Sequence, residues 1–213
     1  MQKYIESAEF FVKNRLQSDF GDGHDFEHTL RVVRHSLWLC DQLPAANRQI
    51  VHLAALLHDV ARVEESQSAG AIDHAGKGAV IAAEFLRSCQ LPESLIKPIA
   101  ECIAQHRYRS GVKPESLEAQ ILYDADKLDS LGAIGIGRAF LFAGRVGARL
   151  HNSEQEAVNN PPYGRQDTAY REYLVKLSHI PERMFTEPGR RKALELKKVM
   201  DDFFRQLNDE FFQ

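Results

Sequence analysis

The chain of 213 residues has no run of about 18 apolar residues, the length a helix needs to cross a bilayer, so no membrane span is expected. The opening MQKYIESAEFFVKNRL lacks the continuous apolar stretch of a signal peptide, and the cytoplasm is the expected compartment. Cysteine is scarce. Cys40, Cys89 and Cys102 are odd in number, form no CxxC pair and lie among apolar residues, a pattern of buried thiols in a reducing compartment. Excess charge of either sign is also missing. With 27 Lys and Arg against 30 Asp and Glu, the formal net charge of -3 exerts no global pull towards nucleic acid or anionic membrane. Strand-like alternation, internal repeats and low-complexity tracts are absent as well.

What remains is helical periodicity on a chain 44% hydrophobic, enough for a sizeable core in an all-α fold. Residues 3–17 carry Ile5, Ala8, Phe11, Val12 and Leu16 as an amphipathic stripe, and 21-GDGHDF-26 breaks it. A second helix is expected from Glu27 to Leu43, stopped by Pro44, and 50-IVHLAALLHDVA-61 reads as a buried helix. Further helices are expected at 74–89, 93–107 and 115–130, with 110-SGVKP-114 as a breaker. Residues 131–150 are glycine-spaced yet apolar, which suggests a helix packed closely on a neighbour. The polar, double-proline segment 151–167 reads as a lid or specificity loop. Two helices follow, at 168–184 and 188–212, the last with Ala193, Leu196, Met200, Phe203, Leu207 and Phe211 on one face. Its Phe203, Phe204, Phe211 and Phe212 suit a homodimer interface as readily as a core.

Some polar residues do not belong in such a core. His58 and Asp59 end the apolar run AALLHDVA, and an aspartate is seldom buried unless it is paired or binds a cation. Asp59 could pair with an arginine at a helix end, or it could bind a metal beside His58. His28, in 24-HDFEHTLRVVRH-35, is either an exposed helix-start histidine or a further ligand. Asp126, in 121-ILYDADKLDSLGA-133, lies at the edge of a packed face and could pair with Arg or Lys instead. Together these two imidazoles and two carboxylates would supply four N/O ligands, a set suited to Mn, Fe, Co, Ni, Zn or Mg.

The series His28, 58-HD-59 and Asp126 resembles the H…HD…D signature of the HD-domain superfamily of metal-dependent phosphohydrolases. The words GHDFEHTLRVVRH, LAALLHDVAR, ILYDADKLDSLGAIGIGRAF and the tail DTAYREYLVKLSHIPERMFTEPGRR resemble one bacterial branch of HD hydrolases, so the likeness spans nearly the whole chain. The resemblance implies a single helical domain over 1–213, with an HD core at about 24–130 and a helical extension at about 131–213. It implies one divalent ion held by His28, His58, Asp59 and Asp126, with His58 and Asp59 also in the catalytic role. The substrate class it implies is phosphoester or phosphoanhydride, nucleotides foremost.

Around that core, His74 and His106 are candidates for contacting substrate phosphate or water, with a second metal as the alternative. Lys127, adjoining a ligand, and Arg62 are candidates for holding phosphate, as are Lys77, Arg107 and Arg109. Some HD nucleotidases carry a glutamate three residues after the motif's Asp; Arg62 stands there in this chain, so their monophosphatase mechanism does not carry over directly. Glu64 or Glu65 could substitute as a base or be merely solvated. His24, Asp25 and Asp129 are either partners that orient ligands or ordinary caps and ion pairs. Arg138, Arg145 and Arg149 either point to solvent or form a basic wall. A phosphodiesterase of cyclic or signalling nucleotides and a non-catalytic metal-bound module are the rival functions, whereas the charge balance disfavours nucleic acid.

Overall fold

The computed structural model describes residues 1–16, 25–68, 70–107 and 113–212. His24, Arg109 and the start of the 110–114 breaker lie outside them. Of the described residues 74% are helical and none lies in a strand, which makes the fold all-α. No described helix is long and apolar enough to cross a membrane. The chain divides into two compact units, one reaching to Asp126 and the other running on from Lys127.

In the first unit α1 (Gln2–Arg15), α2 (Phe26–Gln42) and α3 (Arg48–Leu57) are followed by a short α4 (Arg62–Gln67), then by α5 (His74–Ser88) and α6 (Glu93–Gln105). The centre is α3, which packs against α1, α2 and α6. A helix covered on several sides must be apolar nearly all round, and Val51 and Leu53 to Leu57 are fully shielded from solvent. Each buried leucine there stabilises the fold by about 1.5–3 kcal/mol relative to exposure. The Asn47 side chain starts α3 by accepting from the backbone N–H groups of Gln49 and Ile50. The sequence suggested that this helix runs on through Ala61, but it stops at Leu57, and His58 to Ala61 form a turn that leads into α4. A final helix, α7 (Leu117–Leu128), carries Asp126 in its last turn.

The second unit holds α8 (Gly132–Arg145), α9 (Glu154–Asn159), α10 (Ala169–Val175), a 3-10 helix (Leu177–Arg183) and α11 (Glu187–Phe212). α11 packs on α8 and on the 3-10 helix. The close approach expected of the glycine-spaced helix occurs at its start. Gly132 has φ +65°, and a Cβ there would sit 2.9 Å from Leu196; a Cβ on Gly135 would lie 2.2 Å from the carbonyl oxygen of Ser130. Gly137 and Gly144 face open space. In α11 the core stripe is Ala193, Met200 and Phe204, while Phe203 stays 37% exposed.

Two expectations differ here. The segment 151–167 is not all loop: α9 forms inside it on a Ser153/Glu156 capping box, each side chain bonding the other's backbone. The expected helix over 168–184 divides, because Lys176 leaves helical geometry (φ -140°, ψ -59°) and Pro181 cannot donate to the ladder.

Candidate metal centre

Each imidazole of the candidate site stands at or beside a helix end. His28 is in the first turn of α2, where the Asp25 side chain caps the helix by accepting from the His28 backbone N–H at 2.8 Å. His58 closes α3, His74 opens α5 and His106 closes α6. All four are buried, as is Asp59 at 1% exposure. Asp126 is 13% exposed.

The last carbonyls of a helix have no partner within it. His58 and His106 use them: the ring Nδ1 of His58 donates to Ala55 O at 2.8 Å, and that of His106 to Ile103 O at 2.6 Å. A neutral imidazole carries one proton, so Nε2 of each ring presents a lone pair. Those lone pairs face inward. His58 Nε2 lies 3.3 Å from His28 Nε2, and His106 Nε2 lies 3.1 Å from His74 Nε2.

Asp59 sits between the two pairs. Its Oδ2 is 3.6 Å from His28 Nε2 and 3.5 Å from His58 Nε2, and its Oδ1 is 3.3 Å from His74 Nε2 and 3.6 Å from His106 Nε2. Neither oxygen has a hydrogen-bond partner, although both are buried. Asp126 Oδ1 lies 3.5 Å from His28 Nε2. The ligand atoms fall into two groups, His28/His58/Asp59 and Asp59/His74/His106, each spanning no more than 4.8 Å.

Burial pushes the His58 imidazole down to about 4 and the His74 imidazole to about 3, so both are neutral near pH 7. Burial opposes the charge on Asp59, but the Arg62 guanidinium beside it holds its carboxyl well below the usual range. The centre thus sets a carboxylate beside the neutral rings of His58 and His74. Facing acceptors repel unless something positive lies between them, and leaving a buried carboxylate without donors is costly. Two nitrogens bound to one ion at about 2.0–2.1 Å stand roughly 3.0–3.4 Å apart, close to the separations found here. These residues fit a divalent cation.

Arg62, expected as a phosphate contact, places Nε 3.0 Å from Asp59 Oδ2 without hydrogen-bond alignment and donates Nη1 to Glu65 at 2.9 Å. Neither adjacent acid is simply solvated: Glu64 pairs with Arg15, and Glu65 accepts from Arg62 and Arg107 and lies 2.9 Å from His74 Nδ1. Nothing in the sequence singled out Glu65 from Glu64; only its position two turns after Asp59, at a helix facing α5, separates them. Lys127 follows Asp126 on α7 and is half-buried, whereas Lys77 is exposed on α5. In the second unit Arg138 donates to Asp129 at 2.7 Å and Arg149 to Glu156 at 3.3 Å, so two members of the suggested basic wall hold acids.

A family model described as the HD domain matches residues 25–131. An HD-superfamily hydrolase from Bacillus thuringiensis is 30% identical, with 99% of this chain and 97% of that one covered at a TM-score of 0.75. Bacillus subtilis YpgQ, described as uncharacterized, is 29% identical over 98% of this chain and 94% of its own length. YpgQ has also been solved in complex with ADP, a structure this chain matches at 26% identity and a TM-score of 0.77, over 99% of this chain and 96% of that one. By family model and by whole-chain likeness alike, this chain belongs to the HD domain family.

Proposed function

We propose that this protein is a divalent-metal-dependent phosphohydrolase that cleaves a phosphoester or phosphoanhydride bond of a nucleotide. One observation carries the reading: the buried, charged carboxylate of Asp59 has no hydrogen-bond partner and is ringed by imidazole nitrogens. His28, His58, Asp59 and Asp126 would hold the ion, one of Mn, Mg, Ni, Co, Fe or Zn. When bound, such an ion lowers the pKa of water and draws charge from a phosphoryl oxygen.

The chain's own residues supply the rest. Asp59 keeps its negative charge because Arg62 stands beside it, and His58 keeps its lone pair inward because Ala55 O takes its proton. Lys127, next to Asp126 in the chain, would offset phosphate charge; Arg62 would do so only by releasing Asp59 or Glu65. The nucleotide class is supported by the ADP complex of YpgQ.

A second reading concerns His74 and His106, for which phosphate contact and a second ion were both open. Their Nε2 atoms and Asp59 Oδ1 lie within 4.8 Å of one another, a set of nitrogen and carboxylate ligand atoms that suits a cation better than a phosphate oxygen. A two-ion centre of this kind would suit a phosphodiesterase of cyclic or signalling nucleotides. The test is to reconstitute metal-free protein with Mn, Mg, Ni, Co or Zn and screen nucleoside mono-, di-, tri- and cyclic phosphates, distinguishing phosphate from pyrophosphate release. Turnover of a linear nucleotide is expected. No turnover with any ion at full occupancy would leave a non-catalytic metal-bound module.

A further inference from the structure

Arg15 is a charge where an apolar residue is expected. On α1 it continues the inward stripe of Ala8, Phe11 and Val12, at i, i+3, i+4 and i+7 of one helix face, and Ala8 and Val12 are fully shielded from solvent. The Arg15 side chain is itself 30% exposed. The Phe11 ring is stacked on Phe85 of α5 with 4.2 Å between centroids, and the Arg15 guanidinium lies 5.9 Å from the Phe11 centroid. A cation drawn into such a place needs acceptors there.

Both acceptors belong to the stretch that follows Asp59. Arg15 Nε donates to the backbone carbonyl of Val60 at 2.6 Å, and Nη2 donates to Glu64 Oε1. Val60 lies in the turn from His58 to Ala61 and is fully buried, and no backbone N–H among the described residues bonds its carbonyl. The other oxygen of Glu64, Oε2, is buried without a partner, so this carboxylate depends on Arg15. One planar guanidinium thus ties Val60 and Glu64 together at the fixed spacing of its fork. Between those two residues stands Arg62, whose Nε lies 3.0 Å from Asp59 Oδ2.

We propose that Arg15 is a positioning residue for the metal centre: from α1, which precedes the residues 25–131 matched by the HD family model, it fixes the turn that presents His58 and Asp59. The proposal rests on the metal-centre reading above. The turn's own backbone bonds, Val60 N–H to Leu57 O at 3.3 Å and Arg62 N–H to Asp59 O at 3.0 Å, bracket the two ligands but leave the Val60 carbonyl unheld. Without Arg15 a buried carbonyl and a buried carboxylate both lose their donor, and the turn must rearrange to find others. That rearrangement moves Asp59 relative to His28.

Calorimetric titration of metal-free, full-length protein with Mn2+ measures the effect, at a temperature where melts show every variant folded. Arg15→Met is expected to weaken Mn2+ binding roughly 10–100-fold and to alter the visible spectrum of the Co2+ form. Arg15→Lys keeps a charge opposite Glu64 but has no Nε–H for Val60, so its melting temperature should recover towards wild type while Mn2+ binding stays weak. Arg87→Met, which removes an exposed pair with Glu93, should bind Mn2+ as wild type does. Hydrogen exchange of the metal-free protein gives a readout without any ion: in Arg15→Met the Arg62 amide should exchange about 10-fold faster, with the amides of α6 unchanged. Should Arg15→Met not fold, Arg15→Met/Glu64→Met removes the stranded carboxylate, and the same loss of Mn2+ affinity is expected. A folded Arg15→Met with wild-type Mn2+ affinity would overturn the proposal and leave the metal-centre reading standing. Arg15→Lys with wild-type affinity would overturn it too, by assigning the effect to charge alone. Wild type that takes up neither Mn2+ nor Co2+ would overturn the metal-centre reading itself, and the proposal with it.

Discussion

Two buried polar groups, one in each unit, are assembled on opposite principles. Around Asp59 the ligand atoms converge: a carboxylate with neither oxygen hydrogen-bonded faces four imidazole Nε2 atoms, and two of those rings, His58 and His106, spend their Nδ1 protons on backbone carbonyls. In the second unit the buried groups close on one another. Asn152 donates to Gln166 and accepts from Thr168 at 2.7 Å, and Asp167 accepts from Arg171 at 3.0 Å and from the Tyr163 backbone N–H at 2.7 Å. His151 bonds Asn208 at 2.7 Å among the rings of Tyr170, Phe211 and Phe212, with Nδ1 as its one atom lacking a partner. Both groups are buried, so burial does not tell a site from a strut. What distinguishes them is whether the orphaned atoms share a sign and a focus.

The most severe way to break the contrast is Asp59→Ala. Metal retention and phosphohydrolase activity are both expected to vanish, as measured by metal content after gel filtration and by product release. A variant that stays active and metal-loaded would refute the assignment. Acid comes next. His58 and His74 have folded pKa values depressed from 6.5 to about 4 and about 3, so between those limits the unfolded chain binds protons that the native one does not. Stability is therefore fully present above about pH 6.5 and falls as the medium is acidified towards pH 4, each histidine costing about 1.4 kcal/mol for every pH step of one. Thermal melts of metal-free protein from pH 7.5 to 4.5 should show a steady decline, and a flat profile would contradict the buried neutral rings. The smallest effect belongs to the closed network. Asn152→Ala strands the Thr168 hydroxyl and should cost roughly 1–3 kcal/mol in urea unfolding, with metal stoichiometry unchanged.

The parts legible from sequence were those in which one residue's chemistry suffices. An apolar run such as 50–57 has nowhere to go but the interior, and the α11 pattern specified a helix although its seam passes through Phe204 rather than Phe203. The histidines and aspartates of the centre could be nominated because a charge or imidazole beside an apolar run needs a reason. The capping box that starts α9 was also written in the order Ser153, Glu156, but the flanking prolines and polar residues masked it. Glu65 could not be singled out. Its importance comes from His74 and Arg107, which lie 9 and 42 residues further along and are brought to it only by the packing of α4, α5 and α6.

Helix content and the chemical inventory of the site followed from the order of residues alone, because periodicity and side-chain type act locally. Which nitrogen of each imidazole looks inward, and which acids touch arginines rather than water, were settled by folding. Those choices depend on atoms a few ångströms apart in space and dozens of residues apart along the chain, and no local pattern encodes that distance.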